Sequence, residues 1–314
     1  MLTPTTRHSE HYSYFQRGSA NDVAPKTEGG FVLMGGGGDV DEAFLWMDEK
    51  GAHGDFLVLR GSGGDGYQDY LDELTSANSV QTLVLKDAQA AHDDFVLDRV
   101  SKAEAIFLAG GDQWNYVGKW KDSPLLEALN VAILKGIPIG GTSAGLAVLG
   151  QHVFTAEKGT VTSEQALADP CQEKVTLSSE FLQAPVLEGL ITDSHFSERD
   201  RMGRLVSFMG RLQQEQGLES LRGVGVDEGT AALVEPNGAS TVVGKGGVHW
   251  VSSSGRPEVC QAGTPLTFQC LSVTSVKSGE SFDLTSWKSP QVESQGMTVL
   301  EGELKLPGVS SGKL

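Results

Sequence analysis

Short apolar runs alternate with helix-like stretches through the first half of the chain, and glycine-rich segments follow several of the runs. The runs predict strands at residues 31–34, 56–59, 80–85, 105–108 and 137–139. The stretches between them predict helices at 41–47, 67–74, 93–101, from about 114, and at 124–135. Alternation of this kind is typical of βαβ units. We therefore expect a three-layer α/β fold, with a mostly parallel sheet and helices on both faces.

The pattern changes after Gly150. Strands are predicted at 152–154 and 186–191, a short helix at 163–168, and a charged helix within 197–212. Beyond Gly223, the apolar runs lack long helices between them, which favours antiparallel strands at 224–226, 231–234, 241–243, 248–251, 266–270 and 271–276. No linker or repeat divides the chain. We expect a loose polar N-terminal extension (1–28) and a single domain (29–314) whose tail after about residue 286 is peripheral.

Glycine-rich loops follow predicted strands at residues 35–38, 61–66, 110–113 and 141–145. The carboxyl ends of parallel strands share one edge of a sheet, and sites in open α/β sheets lie at that edge. A glycine loop before a helix can bind phosphate, but residues 35–38 contain neither G-x-G-x-x-G nor G-K-[ST]. We interpret that loop as a tight turn on the rim of a site.

Composition limits the partners that the chain can have. A formal charge of −17 and a pI of about 4.8 argue against nucleic acid and anionic membranes. Cys171, Cys260 and Cys270 have no metal-ligand spacing and indicate a reducing compartment, although a Cys260–Cys270 bridge stays open. No apolar run is long enough to cross a membrane, and the first residues lack the apolar core of a secretory signal. The expected location is the cytoplasm.

The candidate chemistry begins at a G-x-S-x-G pentad centred on Ser143. Between a strand and a helix, this pattern forms a sharp turn, the nucleophile elbow, that exposes the serine hydroxyl. A second match at residues 308–312 lies in a polar tail with no helix behind it, and we set it aside. The backbone N–H groups of Ala144 and Gly111 are candidates for an oxyanion hole.

A serine nucleophile needs a base, and His195 is the candidate among the seven histidines because it follows an apolar run and precedes a helix. The acid that would orient this histidine stays open by location alone. Its candidates are Glu157, Glu164, Asp169, Asp193 and Glu228. Nearby, Arg199, Arg201 and Arg204 form either a salt-bridged helix face with Glu198 and Asp200 or a guanidinium fork for a substrate carboxylate.

Four motifs together carry a family resemblance: residues 110–113 (GGDQ), 140–145 (GGTSAG), 193–205 (DSHFSERDRMGRL) and 226–231 (VDEGTA). In order and rough spacing, they resemble the cyanophycinase branch of a serine peptidase family that also contains aspartyl dipeptidases. The resemblance covers about residues 30–280. It implies a fold like class I glutamine amidotransferases and a Ser–His–Glu triad, in which we match the acid to Glu164 and keep Glu157 open.

The resemblance also implies a pocket and a reaction. The positions that match the family's pocket residues are Gln113, Asp193, Arg199, Arg201 and Arg204. The reaction would be hydrolysis of cyanophycin, a poly-aspartate with arginine on each side-chain carboxyl, to β-aspartyl-arginine, by a homodimer without metal or organic cofactor. One departure is Ser194, where cyanophycinases have glutamine before the histidine. An aspartyl dipeptidase and a non-catalytic, amidotransferase-like binding protein are the alternatives.

Overall fold

The computed structural model describes residues 5–306, which form two β-sheets with helices packed on them. The strands are β1 (Thr5–His8), β2 (Tyr12–Gly18), β3 (Phe31–Met34), β4 (Asp55–Arg60), β5 (Ser79–Leu85), β6 (Ala105–Leu108), β7 (Ile139–Thr142), β8 (His152–Phe154), β9 (Leu177–Ser179), β10 (Leu190–Asp193), β11 (Arg222–Val226), β12 (Thr230–Val234), β13 (Ala239–Gly244), β14 (Gly247–Ser253), β15 (Phe268–Lys277), β16 (Ser281–Asp283), β17 (Gln295–Leu300) and β18 (Glu303–Lys305). The helices are α1 (Asp41–Lys50), α2 (Gln68–Leu74), α3 (Asp94–Ser101), α4 (Trp114–Trp120), α5 (Pro124–Leu134), α6 (Ala144–Ala147), α7 (Ser163–Ala168) and α8 (Met202–Gln216).

The first sheet has ten strands in the order β1-β2-β5-β4-β6-β7-β3-β12-β13-β16. Its centre, β5-β4-β6-β7-β3, is parallel, and those strands are almost wholly buried, as a sheet covered on both faces requires. This centre is the βαβ region that the alternating pattern predicts, so the α/β class is confirmed. Antiparallel strands flank it on both sides.

The second sheet has eight strands in the order β18-β17-β15-β14-β11-β10-β8-β9. The strands after Gly223 pair with one another in antiparallel fashion, as expected, but β11 also pairs in parallel with β10, which in turn is parallel to β8. As a result, β10 and β11 end at the same edge of the sheet, with Asp193 opposite Gly225. The chain then crosses from β11 in the second sheet to β12 in the first through residues 227–229.

The expectation of a loose N-terminal extension is wrong for residues 5–18. Strand β2 pairs with β5 along seven residues and places Tyr12 and Tyr14 in the main hydrophobic core, where Tyr12 stacks on Phe95 and Tyr14 contacts the same ring edge to face. Residues 1–4 lie outside the described range. Alternation of buried aromatic and more polar residues at 12–16 is a strand pattern, but it contains too few aliphatic residues to be conspicuous.

Several predicted boundaries also shift. Strand β7 begins at Ile139 rather than at Ile137 and runs through two glycines, and residues 185–187 form a short 3-10 turn before β10. The charged helix α8 begins only at Met202. The tail after residue 286 contributes β17, which is paired on both sides, and the edge strand β18. Met297 and Val299 of β17 are buried in a hydrophobic cluster with residues of α8, and residues 307–314 lie outside the described range. Within residues 5–306, no helix is long and apolar enough to span a membrane.

Candidate active site

Ser143 lies in a strained turn between β7 and α6. Its backbone has φ 53° and ψ −112°, which L residues rarely adopt. The flanking glycines are needed for space: a Cβ on Gly145 would lie 2.0 Å from the carbonyl oxygen of Leu108, and one on Gly141 would lie 2.5 Å from the backbone of Gly145. The pentad therefore forms the nucleophile elbow geometry that the sequence predicts.

His195 lies within hydrogen-bond reach of this serine, with 2.7 Å between Ser143 Oγ and His195 Nε2. The histidine follows β10 and also has a positive φ of 48°. It is 7% exposed, so its ring is held in a largely desolvated position. The arrangement allows the serine hydroxyl to donate to Nε2, which is the geometry a general base requires.

The carboxylate on the other side of the ring belongs to Glu228, with 2.5 Å between its Oε1 and His195 Nδ1. The prediction of Glu164 is wrong: helix α7 exposes that residue to solvent, and Glu157 is exposed as well. Glu228 reaches the ring because β11 is parallel to β10, so the residues that follow the two strands meet at one edge. The 226–231 motif contains Glu228. Because antiparallel pairing was expected for this region, the sequence did not indicate that Glu228 would lie beside His195.

Burial governs the protonation of His195. Desolvation lowers the pKa of the imidazole below its usual 6.5, and the hydrogen bond to Glu228, which raises the pKa, only partly offsets this. The positive charges of Arg199 and Arg201 lower the pKa further. The ring is therefore neutral at pH 7 and able to accept the serine proton.

The loop after β3 holds the three turns together. Successive backbone carbonyls accept the amide of Ser143 (Met34 O, 3.1 Å), the amide of His195 (Gly35 O, 2.8 Å) and the amide of Gly229 (Gly36 O, 2.8 Å). Gly36 has φ +87°, and a Cβ there would lie 2.7 Å from His195 Nε2. This is the tight turn on the rim of the site that the glycine-rich sequence predicts.

A pocket of about 440 Å³ opens over Ser143 and His195. The loop between β6 and α4 forms one wall, with Gly110 against the serine side chain, and Gly111 has φ +149°, in a region that favours glycine. Gln113, which also lines the pocket, donates through Nε2 to the carbonyl of Phe154 at 3.0 Å. The opposite wall carries Ser194 and the three predicted arginines.

The three arginines are in unlike environments. Arg204 is 2% exposed, and its guanidinium is paired with both carboxylate oxygens of Asp193 and with Val161 O. Arg201 donates to Ser194 O at 2.7 Å and to Asp193 at 3.3 Å, and the pKa of its guanidinium is lowered to about 10, chiefly by desolvation. Arg199 is about half exposed, with its Nε 3.9 Å from Glu228. Asp193 thus lies beneath the pocket as the anchor of two arginines.

Comparison with family models matches residues 65–242, more than half of the chain, to peptidase family S51. The chain belongs to peptidase family S51. The matched region contains the elbow, His195 and Glu228, which are joined by the hydrogen bonds described above.

Two proteins named as cyanophycinases are among those similar to this chain. One from Geminocystis herdmanii is 31% identical over 186 residues, which is 59% of this chain and 62% of that protein. One from Trichormus variabilis is 29% identical over 227 residues, 70% of each chain. Among solved structures, a peptidase from an acI-B1 actinobacterium aligns with a TM-score of 0.54 at 18% identity, covering 82% of this chain and 98% of that one, and it supports the fold.

The acidic and thiol groups of this S51 chain do not converge on a metal site within residues 5–306, where no three His, Cys, Asp or Glu side chains form a suitable cluster. Cys260 and Cys270 are both free, and one is buried while the other is exposed. The site residues brought together by the fold are therefore the serine, the histidine and the glutamate, with the arginines at the pocket wall.

Proposed function

We propose that the chain is a serine peptidase in which Ser143 is the nucleophile, His195 the general base and Glu228 the acid that orients it. The observation that carries this proposal is the chain of two short hydrogen bonds, 2.7 Å from Ser143 to His195 and 2.5 Å from His195 to Glu228, at the floor of an open pocket. With Nδ1–H donating to Glu228, Nε2 is left unprotonated and faces the serine hydroxyl.

In the first half-reaction, Ser143 Oγ attacks the scissile carbonyl carbon and its proton passes to His195 Nε2. The backbone N–H groups of Ala144 and Gly111 hold the resulting oxyanion. Collapse of the tetrahedral intermediate breaks the C–N bond, and His195 gives its proton to the leaving amine. In the second half-reaction, water attacks the acyl-enzyme through the same base, which releases the acid product and restores the serine.

The substrate we propose is cyanophycin, with β-aspartyl-arginine as the product. Support comes from the cyanophycinases among the relatives and from the pocket wall, where Arg199 is exposed and Arg201 is 12% exposed. These two guanidiniums suit the free carboxylates of the polymer, which belong to its arginine residues, because the aspartate side chains are linked as amides. Arg204 and Asp193 have a supporting role, because their polar atoms are engaged with each other.

The test of the nucleophile compares Ser143→Ala with Ser310→Ala, which removes the serine of the other G-x-S-x-G pentad. We expect the first variant to lose hydrolysis and fluorophosphonate labelling while the second keeps both. Substantial hydrolysis by Ser143→Ala would refute the serine mechanism, and a wild-type chain that neither labels nor hydrolyses would support a non-catalytic binding protein.

The test of the substrate is a product-release assay on cyanophycin in parallel with α-aspartyl and β-aspartyl dipeptides. We expect release of β-aspartyl-arginine from the polymer. Cleavage of α-aspartyl dipeptides alone would instead identify an aspartyl dipeptidase. Because Ser194 replaces the glutamine of cyanophycinases, Ser194→Gln is the matched variant, and we expect it to alter KM for the polymer more than kcat.

A further inference from the structure

A second hydrogen-bonded cluster lies directly behind the Ser143–His195–Glu228 site. At its centre is Asp227, the neighbour of Glu228, which is 8% exposed. Its Oδ1 accepts from the backbone N–H of Ser197 at 3.0 Å and from His249 Nε2 at 3.2 Å, and its Oδ2 accepts from the N–H of Gly247 at 2.9 Å. One carboxylate thus joins three segments of chain.

Two of these segments carry members of the site. Ser197 is two residues after His195, and Asp227 immediately precedes Glu228. The third segment, β14, is a rigid central strand of the second sheet. A bond from Asp227 to Ser197 N therefore fixes the turn of the base relative to the turn of the acid, and the bonds to β14 anchor both turns to the sheet.

His249 is the side chain that completes this anchor. It is 7% exposed, and its Nδ1 is 2.8 Å from Ser275 Oγ on β15. When the Ser275 hydroxyl donates to Nδ1, the neutral ring carries its proton on Nε2, where it donates to Asp227. Burial raises the pKa of Asp227, but the hydrogen bonds from His249, Ser197 and Gly247 oppose burial and favour the ionised carboxylate, which accepts all of them.

Packing leaves these groups little freedom. The His249 ring lies 5.2 Å, centroid to centroid, from the ring of Phe196, the residue after the proposed base. A Cβ on Gly225 would lie 2.3 Å from the Phe196 ring, so a glycine is needed in β11 for this ring to fit. Displacement of His249 would therefore move both Asp227, which precedes Glu228, and Phe196, which follows His195.

We propose that Asp227 and His249 are positioning residues, which hold Glu228 and His195 in register so that Glu228 can orient the imidazole toward Ser143. This inference rests on the proposed function, because it assigns the two residues a part in activating the proposed nucleophile. Neither residue touches the reacting atoms, and both act through the contact between His195 and Glu228.

The test is the rate at which a fluorophosphonate modifies Ser143, which requires no knowledge of the substrate. In that reaction Ser143 Oγ bonds to phosphorus, fluoride leaves, and His195 takes the proton. We expect His249→Leu to slow modification on the order of 10- to 100-fold, and His249→Gln, whose amide can still donate to Asp227, to restore most of the rate. The matched control is His152→Leu on strand β8, since His152 is 3% exposed and its Nδ1 also bonds a serine hydroxyl, that of Ser179, at 2.8 Å.

Two further measurements separate positioning from general destabilisation. In a Glu228→Gln background, His249→Leu should add less than about a twofold effect, because residues that act through one another are not additive. The low-field proton NMR signal of His195 Nδ1–H should be lost in His249→Leu and kept in His249→Gln and His152→Leu. Should His249→Leu fail to fold, His249→Asn, with a shorter amide, takes its place.

Labelling of His249→Leu at the wild-type rate, or an equal slowing in the Glu228→Gln background, would overturn the inference. If the wild-type chain is not labelled at all, the assignment of Ser143 as the nucleophile is refuted instead. The two failures are distinguishable, because the NMR signal reports on the His195–Glu228 contact whether or not the serine reacts.

Discussion

Ser143 and His195 both have backbone conformations that cost on the order of 1–3 kcal/mol for residues with a side chain. Each is held there by a hydrogen bond from its own amide to the end of β3, to Met34 O and Gly35 O respectively. The strain turns both side chains toward a common point, where their polar atoms are 2.7 Å apart. At the scale of single residues, the site is a pair of strained turns fastened to one backbone segment.

The first prediction at this scale concerns the acid. Glu228→Gln keeps the shape of the side chain but removes the charge that stabilises an imidazolium, and we expect kcat to fall on the order of 10⁴-fold. Glu164→Gln is the control, since Glu164 is exposed on α7, and it should retain wild-type activity. Steady-state hydrolysis by the two variants checks this, and a larger loss for Glu164→Gln would contradict the geometry.

The second prediction concerns pH. His195 must be neutral to accept a proton, so activity is lost as the pH falls through the histidine pKa. Burial lowers that pKa, which moves the loss toward more acidic solution. We expect the acidic limb of kcat/KM to have its midpoint below pH 6.5, the ordinary histidine value. A midpoint clearly above 6.5 would show that another group limits the rate.

At the scale of elements, the loop between β3 and α1 decides the geometry of the site. The carbonyls at the end of β3 and the start of this loop accept amides from the turns of Ser143, His195 and Glu228, and Gly36 and Gly37 pack directly on those side chains. A Cβ on Gly37 would lie 2.4 Å from the carboxylate of Glu228. The loop therefore positions all three turns, and at residues 36 and 37 only glycine leaves room for their side chains.

The prediction at this scale compares two neighbouring glycines. Gly36→Ala places a methyl group 2.7 Å from His195 Nε2 and 3.0 Å from Ser143 Cβ, so we expect activity to fall on the order of 10²-fold. Gly38→Ala meets nothing within 4 Å and should be nearly neutral. Measurement of kcat and thermal unfolding for both variants checks this; equal activities would mean that the loop yields without disturbing the histidine.

The elements also show how far a sequence can be interpreted. Strands at residues 31–34, 105–108 and 152–154 could be predicted to the residue, because short apolar runs bounded by glycine or polar residues have few alternatives. The elbow and His195 were predictable for the same reason, as each follows such a run. Glu228 was not selected, because periodicity does not say which strands are neighbours, and only the parallel β10–β11 pair brings it to His195.

At the scale of the whole molecule, the N-terminal strand is part of the core. Tyr14 is 3% exposed and donates its hydroxyl to Gln81 at 3.0 Å across the β2–β5 pair. We expect Tyr14→Ala to lower the free energy of unfolding by about 3–5 kcal/mol, against less than about 0.5 kcal/mol for Thr6→Ala on the exposed strand β1. Chemical denaturation of both variants checks the difference, and a negligible effect of Tyr14→Ala would place residues 5–18 outside the cooperative unit.

The proposed nucleophile and its base belong to different sheets: Ser143 follows β7 of the ten-stranded sheet, and His195 follows β10 of the eight-stranded one. Neither sheet alone can activate the serine. In a refolding experiment, reactivity of Ser143 would therefore return only after the two sheets have docked, later than the far-ultraviolet signal of the separate sheets. Because the Ser143–His195 hydrogen bond joins the two sheets, the reactivity of the serine reports when the sheets have docked during folding.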